Sequence, residues 1–223
     1  MPQDTPAIVG VEREDDLFWP RLGEFAALYA LLPSLLYWVK VPGLLIPGLM
    51  AGAVLCVGVL RRDPTFDRKR LWGGMRGQWR SILVLFGIGG VALTAGLLVI
   101  DRGSLFAFPL NKPVVWAIVM VFYPLVSVYP QEVIYRAFLM HRYGSVFGSG
   151  WTMIAASAAA FGFGHILFEN SLAVVLTLLG GVLFAYRYHC SRALLPVVVE
   201  HAMYGCLIFT VGLGESFYLG ATR

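Results

Sequence analysis

Two acids and two histidines stand inside stretches that are otherwise fit for lipid. Glu132 lies in Pro130-Gln131-Glu132-Val133-Ile134-Tyr135-Arg136, which continues an apolar run from Val114 to Tyr129. His165 closes Phe161-Gly162-Phe163-Gly164-His165, and Glu200 with His201 falls in the run from Ala193 to Leu213. A charge at membrane depth is costly, so it usually faces a partner or a water-filled cavity and marks a working site. A buried carboxylate can act as a base, and imidazole N–H and amide groups can donate to developing negative charge. Two histidines and a carboxylate would also suit zinc. Each residue has a plainer reading. Glu132 and Arg136 are four apart and can form a helical ion pair. His165 is four residues from Phe161 and can donate to a neighbouring carbonyl. Glu200 and His201 are adjacent, so on a helix they point about 100° apart and cannot both face one spot. Together, though, two acids and two histidines in separate spans exceed what packing alone explains.

Placing them requires a membrane bundle. The chain has 223 residues, 58% hydrophobic and 13% charged, with a mean hydropathy of +0.74. Soluble domains carry about 25% charged residues. The expected fold is all-α, a polytopic bundle of about seven spans, within a range of six to eight, holding an intramembrane polar site. The net charge of +4 reads as loop charge facing anionic lipid rather than a nucleic-acid surface. Cys56, Cys190 and Cys206 lack the spacing of a zinc site or a disulfide frame.

Residues 1–22 read as an acidic cytoplasmic arm; its charge has the wrong sign for a cleaved signal peptide. The first span is expected from Phe25 to Val39 and the second from Leu44 to Leu60, where Gly48 and Gly52 form a small-xxx-small pair suited to close helix contact. The loop 61–80 carries Arg61, Arg62, Arg68, Lys69, Arg70, Arg76 and Arg80 against Asp63 and Asp67. That asymmetry places it on the cytoplasmic side with the amino terminus. The third span covers Ser81 to Ile100, with glycines suggesting tight packing. The fourth runs from Val114 to about Met140, the fifth from Thr152 to Phe168, the sixth from Leu172 to Tyr188 and the seventh from Ala193 to Leu213. Residues 23–110 thus form an amino-terminal group of spans, 111–215 a core, and 216–223 a tail. At 1.5 Å per residue, Glu132 and His201 each lie roughly 12 Å from the cytoplasmic ends of their spans, and His165 roughly 16–20 Å. Gly162 and Gly164 would let another backbone approach His165.

These residues resemble the CPBP (Abi) family of intramembrane proteases, which includes the type II CAAX prenyl endopeptidases. The family pattern is E-E-x-x-x-R, then F-x-x-x-H, then H-x-x-x-N/D. It is met by Gln131-Glu132-x-x-x-Arg136, Phe161-x-x-x-His165 and His201-x-x-x-Gly205, in order, over residues 115–215. Residues 1–110 show only general membrane character. The resemblance implies peptide cleavage by water, activated by a carboxylate and a histidine, with the second histidine and the asparagine stabilising the oxyanion. Two positions depart from the pattern: Gln131 cannot be a base, and Gly205 supplies no donor. The catalytic set expected is then Glu132, His165 and His201, supported by Gln131, Arg136, Phe161, Glu200 as a relocated acid and Tyr204 as a substitute donor. No cofactor is expected, with zinc as the alternative. The partners implied are a membrane-anchored or lipidated peptide and the bilayer, with no nucleic acid. The location implied is the cytoplasmic (inner) membrane of a prokaryote. A non-catalytic protein of the same fold that binds a membrane partner is the other reading. A proton relay or small transporter would also use buried acids and histidines, but the hydropathy pattern shows no repeated halves.

Overall fold

A chain without water around it must satisfy its backbone internally, and helices do so within one segment. The computed structural model describes residues 14–40 and 42–214, where it has no strand. Most of the acidic arm and the tail at 216–223 lie outside the described residues. Among the described residues, seven helices are long and apolar enough to cross a bilayer: α1 (Leu17–Val39), α2 (Leu45–Arg62), α3 (Trp79–Ile100), α4 (Pro113–Arg142), α5 (Trp151–Phe168), α6 (Ser171–Ser191) and α7 (Leu194–Val211). Their lipid-facing sides remain apolar and exposed. Trp19, Trp38, Trp79 and Trp151 sit exposed near span ends, where amphipathic rings prefer the interface.

The first span begins at Leu17 rather than at Phe25. Glu24 within this helix is neutralised: Arg142 donates twice to it, at 3.0 and 2.8 Å, and the Tyr143 hydroxyl donates to it at 3.2 Å. The helix can therefore continue through a carboxylate. A correction applies to the Gly48/Gly52 pair. A methyl at Gly48 would meet nothing within 4 Å, and one at Gly52 only the tip of Ile134 at 3.5 Å. Close helix contact occurs elsewhere, between α5 and α6. A methyl built at Gly181 would lie 3.0 Å from the Ala158 Cα.

Ties between loops fix which ends lie together. Lys40 pairs with Glu169 at 2.6 Å, and the Phe106 N–H donates to the Val211 carbonyl at 3.2 Å. At the opposite end His141 pairs with Asp63 at 2.9 Å and Arg142 with Glu24. The basic loop is thus on the side of the His141–Tyr143 corner. The side chains of Thr65 and His141 bond the Asp63 carboxylate and, with the Thr65 backbone, hold it down at about 2.

The helix that carries Glu132 is irregular where it matters. α4 widens to i→i+5 turns at Pro124–Val128 and again at Val133–Phe138, on either side of Gln131 and Glu132. Such π-turns add a residue to the turn and re-aim the side chains that follow. Hydroxyl groups on neighbouring helices cap the widened backbone: Tyr29 of α1 donates to the Ile134 carbonyl at 2.9 Å, and Ser157 of α5 to the Tyr135 carbonyl at 2.7 Å.

Candidate active site

The site is built where α4, α5, α6 and α7 meet, around the ring of Phe161. Arg136 places its guanidinium carbon 4.7 Å from the centre of that ring. His165 packs against it at 4.6 Å between ring centres and His201 at 5.5 Å, both edge to face. One phenylalanine therefore spaces two histidines from different helices. Phe184 of α6 stacks on the face of His201 at 4.6 Å, with 19° between the planes.

Glu132 is wholly buried and holds His201 from behind. Its Oε1 lies 2.7 Å from His201 Nδ1. A carboxylate only accepts, so the Nδ1–H donates and the neutral ring carries its proton there. The other nitrogen, Nε2, is then a lone-pair acceptor. It lies on the Tyr123 side of the ring, 3.4 Å from that hydroxyl, which is long for a hydrogen bond. Glu132 Oε2 faces Arg136 Nε at 3.3 Å in a buried ion pair. That pair is loosely made. Glu132 Oε2, Arg136 Nε and Arg136 Nη2 are all buried without a well-formed hydrogen bond. Arg136 is steadied instead by its Nη1–H, which donates to Ser157 at 3.1 Å.

His201 and His165 both line one cavity of about 1160 Å³, together with Gln131, Tyr123, Tyr204 and Gly205. The rest of its wall is mostly aliphatic and aromatic. Glu132 does not reach this space; it acts on it through His201. His165 stands where α5 gives way to a tighter turn, and its Nδ1–H donates to the Phe161 carbonyl at 2.7 Å. Gly162 admits Leu178 of α6, and Gly164 admits the Tyr135 hydroxyl, so the approach expected near His165 is made by one helix and one side chain.

The structure separates the remaining candidates. Gln131 turns to the cavity, donating to Ser127 at 2.8 Å, while its carbonyl oxygen is buried without a partner. Glu200 points away from His201. Arg187 grips it with two 2.8 Å bonds and also donates to Gln78 at 3.0 Å and Ser81 at 2.6 Å. A carboxylate so engaged has no proton-taking oxygen to offer. The Tyr204 hydroxyl donates to the Leu85 carbonyl of α3 at 2.7 Å and is committed there. Sequence reasoning missed Arg187, which reads as loop charge, and Tyr123, which reads as span filler. A hydroxyl directly preceding Pro124 in an apolar run was the available signal for the second.

As for zinc, no group of three histidine, cysteine or acidic side chains among the described residues converges as a metal centre requires. His201 and His165 both donate through Nδ1, so only Nε2 of each could reach a metal. Two imidazole nitrogens with no third such side chain beside them among the described residues fall short of the three protein ligands of a catalytic zinc site.

Residues 112–207 match the family model of the type II CAAX prenyl endopeptidase Rce1-like proteins. This bears out the resemblance to CAAX-type proteases that the three motifs carry, over the stretch containing all of them. With the seven apolar helices it identifies an integral membrane protein. No curated protein and no solved structure matches the chain.

Proposed function

We propose that this protein is an intramembrane endopeptidase that cuts a membrane-anchored or lipidated peptide, using Glu132 and His201 as a carboxylate–imidazole base. The carrying observation is the 2.7 Å bond that fixes the His201 proton on Nδ1 and leaves Nε2 to accept, in a ring that lines the cavity shared with His165. Water entering there loses a proton to Nε2 while its oxygen adds to the peptide carbonyl carbon and the carbonyl π pair moves to oxygen. The imidazolium so formed is balanced by Glu132. As the tetrahedral intermediate collapses, the C–N bond breaks and His201 returns the proton to the leaving nitrogen. His165, whose proton is held on Nδ1 by the Phe161 carbonyl, presents Nε2 as an acceptor to the cavity and orients the attacking water there. Arg136 faces Glu132 Oε2 and holds the carboxylate in place. The mostly apolar cavity wall suits a substrate with a lipid-soluble anchor. The expected location is the inner membrane of a prokaryote.

Gln131 favours a second reading. An amide replaces the acid that the family carries there, which fits a protein that holds a peptide in the same cavity without cutting it. One assay separates the two. The protein in liposomes is mixed with a library of membrane-anchored peptides, and products are read by mass, with and without a chelator. Cleavage that chelator leaves intact and His201→Ala removes supports the hydrolase. Peptide retention without products, for the intact protein, supports the binder.

A further inference from the structure

Gly205 occupies the position at which the family has a donor, and on sequence it looks like a loss. Its surroundings say otherwise. A methyl group built at Gly205 would overlap both the ring and the hydroxyl of Tyr123. The empty side of α7 at this point is therefore filled, by a residue from α4. Tyr123 is held there edge to face between two rings of α7, with His201 at 6.4 Å and Phe209 at 5.2 Å between centres. Its oxygen reaches to 3.4 Å from His201 Nε2 and faces the same cavity.

A phenol differs from an amide in reach and in being rigid, but it offers the same thing to an oxyanion, a donated hydrogen. Tyr204, the other hydroxyl near this helix turn, is spent on Leu85. We propose that Tyr123 is a catalytic residue of this chain: its O–H donates to the scissile carbonyl oxygen as that oxygen becomes negative, and Gly205 is the gap that admits it. The proposal rests on the hydrolytic reading above. At 3.4 Å the phenol oxygen and Nε2 are in contact, so the water and the carbonyl meet them from the cavity that both residues line rather than from between them.

The test uses the full-length protein in liposomes with the best-cut anchored peptide from the library. Tyr123→Phe keeps the ring and removes only the donor. It should lower kcat by about 10²–10³-fold, the usual loss for one oxyanion donor, with KM and thermal stability little changed. Gly205→Ala should push the ring aside and lower kcat to a similar level. The double variant should fall no further, because both changes remove one interaction. A wild-type protein that cuts nothing overturns the hydrolytic reading and this assignment with it. A wild type that cuts, beside a Tyr123→Phe protein within twofold of its kcat, overturns the assignment alone, as does full additivity in the double variant.

Discussion

Among the described residues two carboxylate–arginine pairs lie buried, and they are made differently. At Glu200 and Arg187 the pair is saturated: both carboxylate oxygens receive 2.8 Å bonds, and the remaining guanidinium nitrogen is taken by Gln78 and Ser81. At Glu132 and Arg136 one contact of 3.3 Å replaces two good bonds, and the second carboxylate oxygen turns to a histidine instead. A saturated pair can only hold helices together, here the start of α3 against α6 and α7. An unsaturated one keeps a charge in place without using it up, and that charge remains available to the ring it touches. In a buried setting the poorly satisfied group is the informative one.

The contrast can be broken most sharply at His201. His201→Ala should lower cleavage by about 10²–10⁴-fold with the fold retained, read as kcat in liposomes. Glu132→Gln should approach that loss, because an amide can donate to Nδ1 and so move the ring proton to Nε2, disabling the base. Glu132→Gln should also lower thermal stability, because Arg136 then lies wholly buried without a counter-charge; removing one partner of a buried pair typically costs about 3–5 kcal/mol. Glu200→Gln should lower the melting temperature in detergent by a comparable amount and leave the kcat of the folded protein largely unchanged. A Glu200→Gln protein that lost cleavage as fully as Glu132→Gln would erase the difference between the two pairs. A smaller effect comes from the exposed Asp63. Its folded value of about 2 lies below the ordinary 3.8. Stability from it is present above the ordinary value and is lost as pH falls through the folded one. Between pH 4 and pH 2, Asp63→Asn should therefore flatten the acid-induced drop in melting temperature slightly, whereas wild type should not.

Much of this was legible in the chain. Span number and the pairing of basic loops at one end follow from apolar length and charge asymmetry, properties that lipid reads directly. The meeting of Glu132, His165 and His201 follows from motif order. What was hidden depends on contacts between distant residues that no local pattern records. Arg187 sits at the end of a span, where a positive charge is ordinarily explained by the membrane surface, and only the register of α6 against α7 reveals that it is buried. Ser157 lies in a run of alanines that reads as packing, yet it accepts from Arg136 and caps a π-turn. Tyr123 escaped notice because its significance lies in what Gly205 lacks.

The two pairs also differ in when they can exist. Arg187 and Glu200 are 13 residues apart, on consecutive helices, and can meet as soon as one hairpin has left the ribosome and entered the bilayer. Glu132 and His201 are separated by 69 residues, and Tyr123 and His201 by 78. The charge that stabilises the bundle is thus neutralised within a neighbouring pair of helices, while the imidazole proposed to activate water arrives only with α7. Until α7 is in place the chain carries the acid, the arginine and one histidine but no dyad, and on the hydrolytic reading it has no means of cutting its neighbours.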